Sequence, residues 1–429
     1  MTRIRLLGAA LTLALAAPAA LLAQGRMAPA IVVYEWNQIL QSTIPGAGGV
    51  AAPRFYALTH IAMFDAVNTV ERGYEPYRVN LRRYGSPTAA AAQAAHDILV
   101  ALNPASTAAY DALLARHIGS KPSVFTRQGA AVGARVAAEI VEWRQNDGWL
   151  VQPIPLYTEP PLPGRWQPTP PASAPAAFTQ VMDAEPLALL TSTQFLPPPP
   201  PSLTSARYAA DLNEVQMLGR FDSAARTPEQ TTIGRLWSGV AANGTGAATP
   251  AFAVWNNITR DTALARGLPL LEAARLFALV NVAIHDGIHT TQTSKFVYGV
   301  WRPVTAIRQA GDDLNPATQP DAAWLPMIAT PPYPAYAGNL VVIGASAARV
   351  LELASGTDIA AVTATWSQTG QPDAVRQFDS FSAAAEEVFA ARIYAGVHYR
   401  FDQEAGRDAG RSVADYVFAN FMRPSGYSR

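Results

Sequence analysis

Five Ala-rich stretches, at 88–102, 129–144, 269–289, 340–354 and 378–393, repeat apolar residues at three- and four-residue spacing. That rhythm restricts the chain to a helical fold, because few β-branched residues alternate with period two. One helix start is marked in full: Thr227-Pro228-Glu229-Gln230 supplies a capping residue, a proline at the first helical position and a Gln three residues after the cap.

Residues 153–201 break the rhythm with Pro160-Pro161, Pro170-Pro171 and five consecutive prolines ending at Pro201. Proline removes a donor and blocks helix continuation, so the segment is a long extended connection. Tyr157, Trp166, Phe178 and Phe195 are spread along it, which argues for an ordered strap packed on the protein. On either side of the strap, residues 57–69 (ALTHIAMFDAVNT) align without gaps on 278–290 (ALVNVAIHDGIHT), with Asp65 opposite Asp286. The expected architecture is all-α: two four-helix bundles, an internal duplication, joined by the strap. The division is a leader at 1–23, a first bundle at 24–152, the connection at 153–203 and a second bundle at 204–429.

Lys plus Arg and Asp plus Glu both number 32, so no general field attracts a polyanion and nucleic acid is not an expected partner. Arg3 and Arg5 precede an apolar run ending in small residues near Ala23, the pattern of a secretory leader. No later segment reads as a membrane span, so a secreted protein, periplasmic in a Gram-negative cell, is expected. With 0 cysteines the exported fold stands without disulfides or thiolate metal sites. A homo-oligomer is left open.

The chemistry gathers in the last third. Lys295 and Arg302 are seven residues apart, and Pro303 disfavours helix at Arg302, so the two cations belong to different elements. His398 and Asp402 stand at i, i+4, a spacing that lets the carboxylate fix the imidazole tautomer. Arg392 precedes them, with Gly396 between. Lys and Arg side chains supply the fixed charge and forked donors that a tetrahedral oxyanion needs. His285 and His289, i, i+4 on the helix leading to Lys295, are read as polar packing between bundles, as a spacing that suits a divalent metal but lacks an evident third ligand, or, with His289 the better candidate, as a substitute acid–base group. His60 and His96 read as helix contacts, His117 as surface, and Trp301 and Tyr298 as pocket walls or core.

The ordered set in KFVYGVWRPVTAIR, TPPYPAYAGN and ARIYAGVHYRFD resembles the vanadium-dependent haloperoxidases and the related type 2 phosphatidic-acid-phosphatase superfamily. The family pattern is Lys, six residues, Arg-Pro; then Pro-Ser-Gly-His; then Ser-Arg, a spacer, His, three residues, Asp. The resemblance implies that Lys295, Arg302, Arg392 and the Gly338 backbone hold an oxyanion, that His398 ligates vanadate or attacks phosphorus, and that Asp402 orients His398. Implied substrates are peroxide and a halide, or a phosphate ester.

The second motif departs from the pattern. Tyr336-Ala337-Gly338-Asn339 stands where Pro-Ser-Gly-His is expected, and Ala391 replaces the serine before Arg392. Asn339 forms hydrogen bonds but exchanges no proton near neutral pH. Three functions remain open on the residues alone: a vanadate-dependent haloperoxidase, a phosphomonoesterase with His398 as nucleophile, and an oxyanion binder without turnover.

Overall fold

The computed structural model describes residues 30–44 and 50–426, so the leader expected at 1–23 lies outside the described residues. Among the described residues, five α-helices form the first half: α1 (Ile31–Thr43), α2 (Ala52–Glu71), α3 (Pro87–Leu102), α4 (Thr107–Ile118) and α5 (Val124–Arg144). The second half contains α6 (Ala206–Leu218), α7 (Pro228–Trp237), α8 (Ala251–Ala265), α9 (Leu270–Tyr298), α10 (Pro303–Arg308) and α11 (Asn339–Ser355). A hairpin of β1 (Ile359–Gln368) and β2 (Gln371–Ser380) then leads to α12 (Phe381–Tyr394) and α13 (Arg400–Asn420). The all-α expectation holds, with the helices packed in bundles.

The centre of the molecule is the pair α2 and α9. Almost every residue of α9 from Leu270 to Phe296 is buried, the burial of a helix surrounded on all sides. It packs on α2, α11 and α13, and one continuous apolar core takes Trp36, Tyr56 and Phe64 from one half and Trp237, Trp255 and Phe277 from the other. The likeness between the two halves extends beyond the aligned segment. Asn37 Oδ1 lies 3.2 Å from His60 Nε2 between α1 and α2, and Asn256 and Asn281 exchange hydrogen bonds of 3.0 and 2.9 Å between α8 and α9. Trp36-Asn37 and Trp255-Asn256 occupy matching positions.

At the start of α7 the Thr227 hydroxyl accepts from the Gln230 N–H at 3.2 Å and the Gln230 side chain accepts from the Thr227 N–H at 2.9 Å, the capping box expected from sequence. The 378–393 stretch does not begin as a helix. Phe378 is in β2, and α12 starts only after Ser380, whose hydroxyl accepts from the Ala383 N–H. The hairpin follows from the alternation Val362, Ala364, Trp366, all buried on one face of β1.

The strap is ordered, as its aromatics imply. Trp166 is 2% exposed, its N–H donates to the Gly299 carbonyl at 2.8 Å, and the Trp301 N–H donates to Gly164 at 3.0 Å. Farther on, Phe195 stacks edge-on against Tyr416, and the Pro197 and Pro198 carbonyls accept from the hydroxyls of Tyr298 and Tyr336. The proline segment thereby covers the end of the second bundle where the cations lie.

Candidate oxyanion site

Four chain breaks carry the site. Gly299, with φ 60°, ends α9 one turn after Lys295. Arg302 is the N-cap residue of α10, on a different element from Lys295 as Pro303 requires. Gly338 caps α11, and Gly396, with φ 81°, turns the chain from Arg392 in the last turn of α12 toward His398 and α13.

Lys295, Arg302, Arg392, His398 and Asp402 are all buried. Lys295 Nζ donates to the carbonyls of Ala335 (2.7 Å) and Ala337. Arg302 donates from Nε to Tyr333 O (2.7 Å) and from Nη1 to Val397 O (2.9 Å), and Nη1 lies 3.1 Å from His398 Nε2. Arg392 Nη1 donates to Ser238 Oγ at 2.7 Å. The Tyr333 ring lies under two of the cations, 5.5 Å from Lys295 Nζ and 5.0 Å from the Arg302 guanidinium carbon. Arg302 Nη2 and Arg392 Nε are buried donors without a partner.

The electrostatics show convergence. Burial holds the His398 pKa well below its ordinary value, and Arg302, Lys295 and Arg392 push the same way. Lys295 is likewise lowered by burial and then by Arg302, with Arg392 adding and Asp402 opposing. Burial raises the Asp402 carboxyl to about 7 against the pull of Lys295 and Arg302. His398 is therefore a neutral imidazole. An arginine can only donate, so Nε2 carries the lone pair facing Arg302, and the Nδ1 proton goes to Asp402 Oδ2 at 2.9 Å.

Three expectations are corrected. His398 and Asp402 do not share a helix turn: His398 precedes the N-cap residue Tyr399, and Asp402 is the third residue of α13. Asp402 Oδ2 accepts from both His398 Nδ1 and the Tyr399 N–H (3.1 Å), so the carboxylate serves the helix start and the imidazole together. The Gly338 N–H is not free for an anion, because it donates to the Asp402 carbonyl at 2.9 Å and ties the motif to α13. His289 does not join the cradle. It is six residues before Lys295, about 120° away around α9, and packs against Trp149 and His285 near Arg144. Burial, then His285, holds its pKa at about 3.

His285 is a packed polar residue, with Nδ1 at 2.8 Å from Asp286. His117 is not surface: its side chain is 12% exposed and its Nε2 lies 3.0 Å from a Glu35 oxygen. Trp301 is core rather than wall, with no exposed surface. Asn339 begins α11 and donates from Nδ2 to Gln292 Oε1 at 2.8 Å. Sequence reasoning missed Tyr333, Ser238, Gln292 and Gln403. Tyr333 lies within TPPYPAYAGN, and Gln292 is one turn before Lys295, so both had a local signal; Ser238 is 154 residues from Arg392 and had none.

The described residues form an all-α protein with three buried basic side chains gathered beside His398 at the end of a helical bundle. Residues 275–425 match the family described as the VCPO second helical-bundle domain. The vanadium chloroperoxidase of Curvularia inaequalis is 26% identical over 277 residues, which are 51% of this chain and 44% of that protein, so the match spans less than half of the relative. The first bacterial vanadium-dependent iodoperoxidase structure superposes with a TM-score of 0.75 at 25% identity, covering 92% of this chain and 97% of that one. A holo-type bacterial vanadium-dependent chloroperoxidase shares the fold at a TM-score of 0.70, with 15% identity over 88% of this chain and 93% of that one. Over residues 275–425 and in its overall fold, the chain is similar to the vanadium haloperoxidases. Among the described residues no helix is long and apolar enough to cross a membrane.

Proposed function

We propose that this chain is a vanadate-dependent haloperoxidase that uses hydrogen peroxide to oxidise a halide. The observation that carries the reading is the set of buried donors without partners, Arg302 Nη2 and Arg392 Nε, beside a buried lysine and the His398 lone pair. Burying three cations against one carboxylate that is already committed to His398 and Tyr399 is unfavourable unless an anion completes the site. A tetrahedral oxyanion supplies the missing charge and acceptors, so these residues fit vanadate.

In this reading Lys295, Arg302 and Arg392 hold the oxyanion, and His398 Nε2 ligates it once Arg302 Nη1 turns its donor from the imidazole to the anion. Bound vanadate supplies a Lewis-acid centre that activates peroxide toward halide. Asp402 keeps the Nδ1 proton in place and so keeps Nε2 deprotonated. The three cations, preorganised by Ala335, Val397 and Ser238, stabilise negative charge with little reorganisation. The phosphomonoesterase alternative is weaker, since an alkoxide leaving group needs a proton. Asn339 cannot give one, and His289 lies in another cluster.

Bromide oxidation by the purified protein with orthovanadate and peroxide, run beside His398→Ala, tests the reading. Vanadate-dependent turnover that disappears in the variant is expected; no turnover in the wild type would sink it. Export belongs to the same reading, and N-terminal sequencing of protein from a periplasmic fraction should find a start near residue 24.

A further inference from the structure

The amide groups around Asn339 are oriented by a chain of obligatory donors and acceptors. The Ala177 carbonyl, in the strap, can only accept, so the end of the Gln292 amide facing it at 3.3 Å is Nε2. Gln292 Oε1 is thereby turned to Asn339 and can only accept, so Asn339 faces it with Nδ2 at 2.8 Å. What remains is Asn339 Oδ1, a buried acceptor with no partner. Gln292 is three residues before Lys295 on one face of α9, and Asn339 follows Ala337-Gly338, whose Ala337 carbonyl accepts from Lys295 Nζ. On the other side, Gln403 is fully buried against Gly338 with both amide atoms unpartnered.

We propose that Asn339 presents a fixed hydrogen-bond acceptor to the bound oxyanion, that Gln292 is the positioning residue that fixes it, and that the site therefore selects a tetrahedral oxyanion carrying a proton. The inference rests on the reading of the cradle as an oxyanion site. Against a fully deprotonated anion, Oδ1 would place lone pairs against lone pairs. Against an anion with one O–H, it accepts the hydrogen bond that this O–H donates, which the surrounding donors cannot do. The charged groups from the other elements are Lys295 on α9, Arg302 at α10, Arg392 on α12 and Asp402 on α13, with neutral His398 before it. The cations favour the anion of higher charge, while Oδ1 favours the one that carries a proton. The strap, through Ala177, then acts on specificity as well as covering the site.

Inorganic phosphate and sulfate separate these terms, since both are tetrahedral but only phosphate retains protons at mildly acidic to neutral pH. Calorimetric titration of the full chain at one pH near 6 should give phosphate at least roughly tenfold tighter binding than sulfate, the scale of one hydrogen bond to a charged partner. Gln292→Met, which frees the Asn339 amide to rotate, and Asn339→Leu, which removes it, should bring the ratio down to one or below, since the cations then favour the sulfate dianion. Gln292→Glu keeps an acceptor facing Asn339 Nδ2 and should retain the preference even as its charge weakens both anions. Circular dichroism checks that each variant is folded, and the wild-type ratio stands without any of them. Equal binding of the two anions by the wild type, or an unchanged ratio in folded Asn339→Leu, would overturn this inference alone. No binding of either anion would overturn it together with the oxyanion reading.

Discussion

Asp65 and Asp286 perform the same task in the two halves of the chain. Asp65 Oδ1 accepts from the Tyr77 N–H at 2.7 Å and its Oδ2 from Arg78 and Val79, both at 2.9 Å. Asp286 Oδ1 accepts from Leu187 at 2.8 Å and its Oδ2 from Ala188 and Leu189 at 2.6 and 2.9 Å. The two loops touch, because the Tyr77 hydroxyl donates to the Leu187 carbonyl. Each carboxylate anchors three consecutive backbone donors that would otherwise be buried unpaired. An Asp→Asn change turns one acceptor into a donor facing N–H groups, so Asp65→Asn and Asp286→Asn should each destabilise by about 2–4 kcal/mol, read by urea unfolding.

Acid should weaken the fold through histidines buried neutral. Burial takes His60 down to about 3. Between that value and the ordinary 6.5, the unfolded chain binds a proton that the folded chain does not, so stability falls as pH drops through this window, by about 1.4 kcal/mol per pH unit for each such group. His60→Asn copies the Asn256–Asn281 pair of the other half. It should lower the acid slope by that amount in unfolding measured from pH 6.5 downward, at some loss of packing against Phe277. An unchanged slope would show that His60 is protonated in the fold.

Asp402→Asn should release the His398 tautomer. With no carboxylate on Nδ1, the imidazole can place its proton on Nε2, toward Arg302. Vanadate affinity of the folded variant should drop roughly 10- to 100-fold, the usual cost of losing a group that orients a ligand. Ultraviolet difference titration with orthovanadate measures it.

His289→Ala should leave vanadate affinity unchanged, because its contacts are Trp149 and His285 rather than the cradle. Its effect should appear as lower thermal stability. A shift in vanadate affinity comparable to that of Asp402→Asn would place His289 back in the site.

Gly396→Ala combines a φ of 81° with a Cβ that would overlap the Gly219 carbonyl, and both are backbone constraints. We expect a destabilisation of about 2–4 kcal/mol and loss of oxyanion binding, since the turn aims His398. Chemical denaturation with and without orthovanadate reads both.

Much of this was legible in the chain. Apolar periodicity gave the helices, Pro303 separated Arg302 from Lys295, and the aromatics in the proline segment implied a packed strap. The β1–β2 hairpin was missed because Val362, Ala364 and Trp366 alternate over too short a run beside strong helix formers. Equal spacing also misled at two places. His398 and Asp402 at i, i+4 lie across a helix start rather than within a helix, and His289, on the helix of Lys295, packs with Trp149 and His285 instead.

The sequence by itself determined the all-α class, the matching segments 57–69 and 278–290 and the residue types of the cradle, because periodicity, proline and charge act locally along the chain. Tertiary structure alone decided which groups meet. Ser238 reaches Arg392 from 154 residues away, and the Gly338 N–H goes to Asp402 instead of an anion. The direction of the Asn339 amide is likewise set through Gln292 by the Ala177 carbonyl, since a planar amide's orientation depends on partners that only folding brings within hydrogen-bond distance.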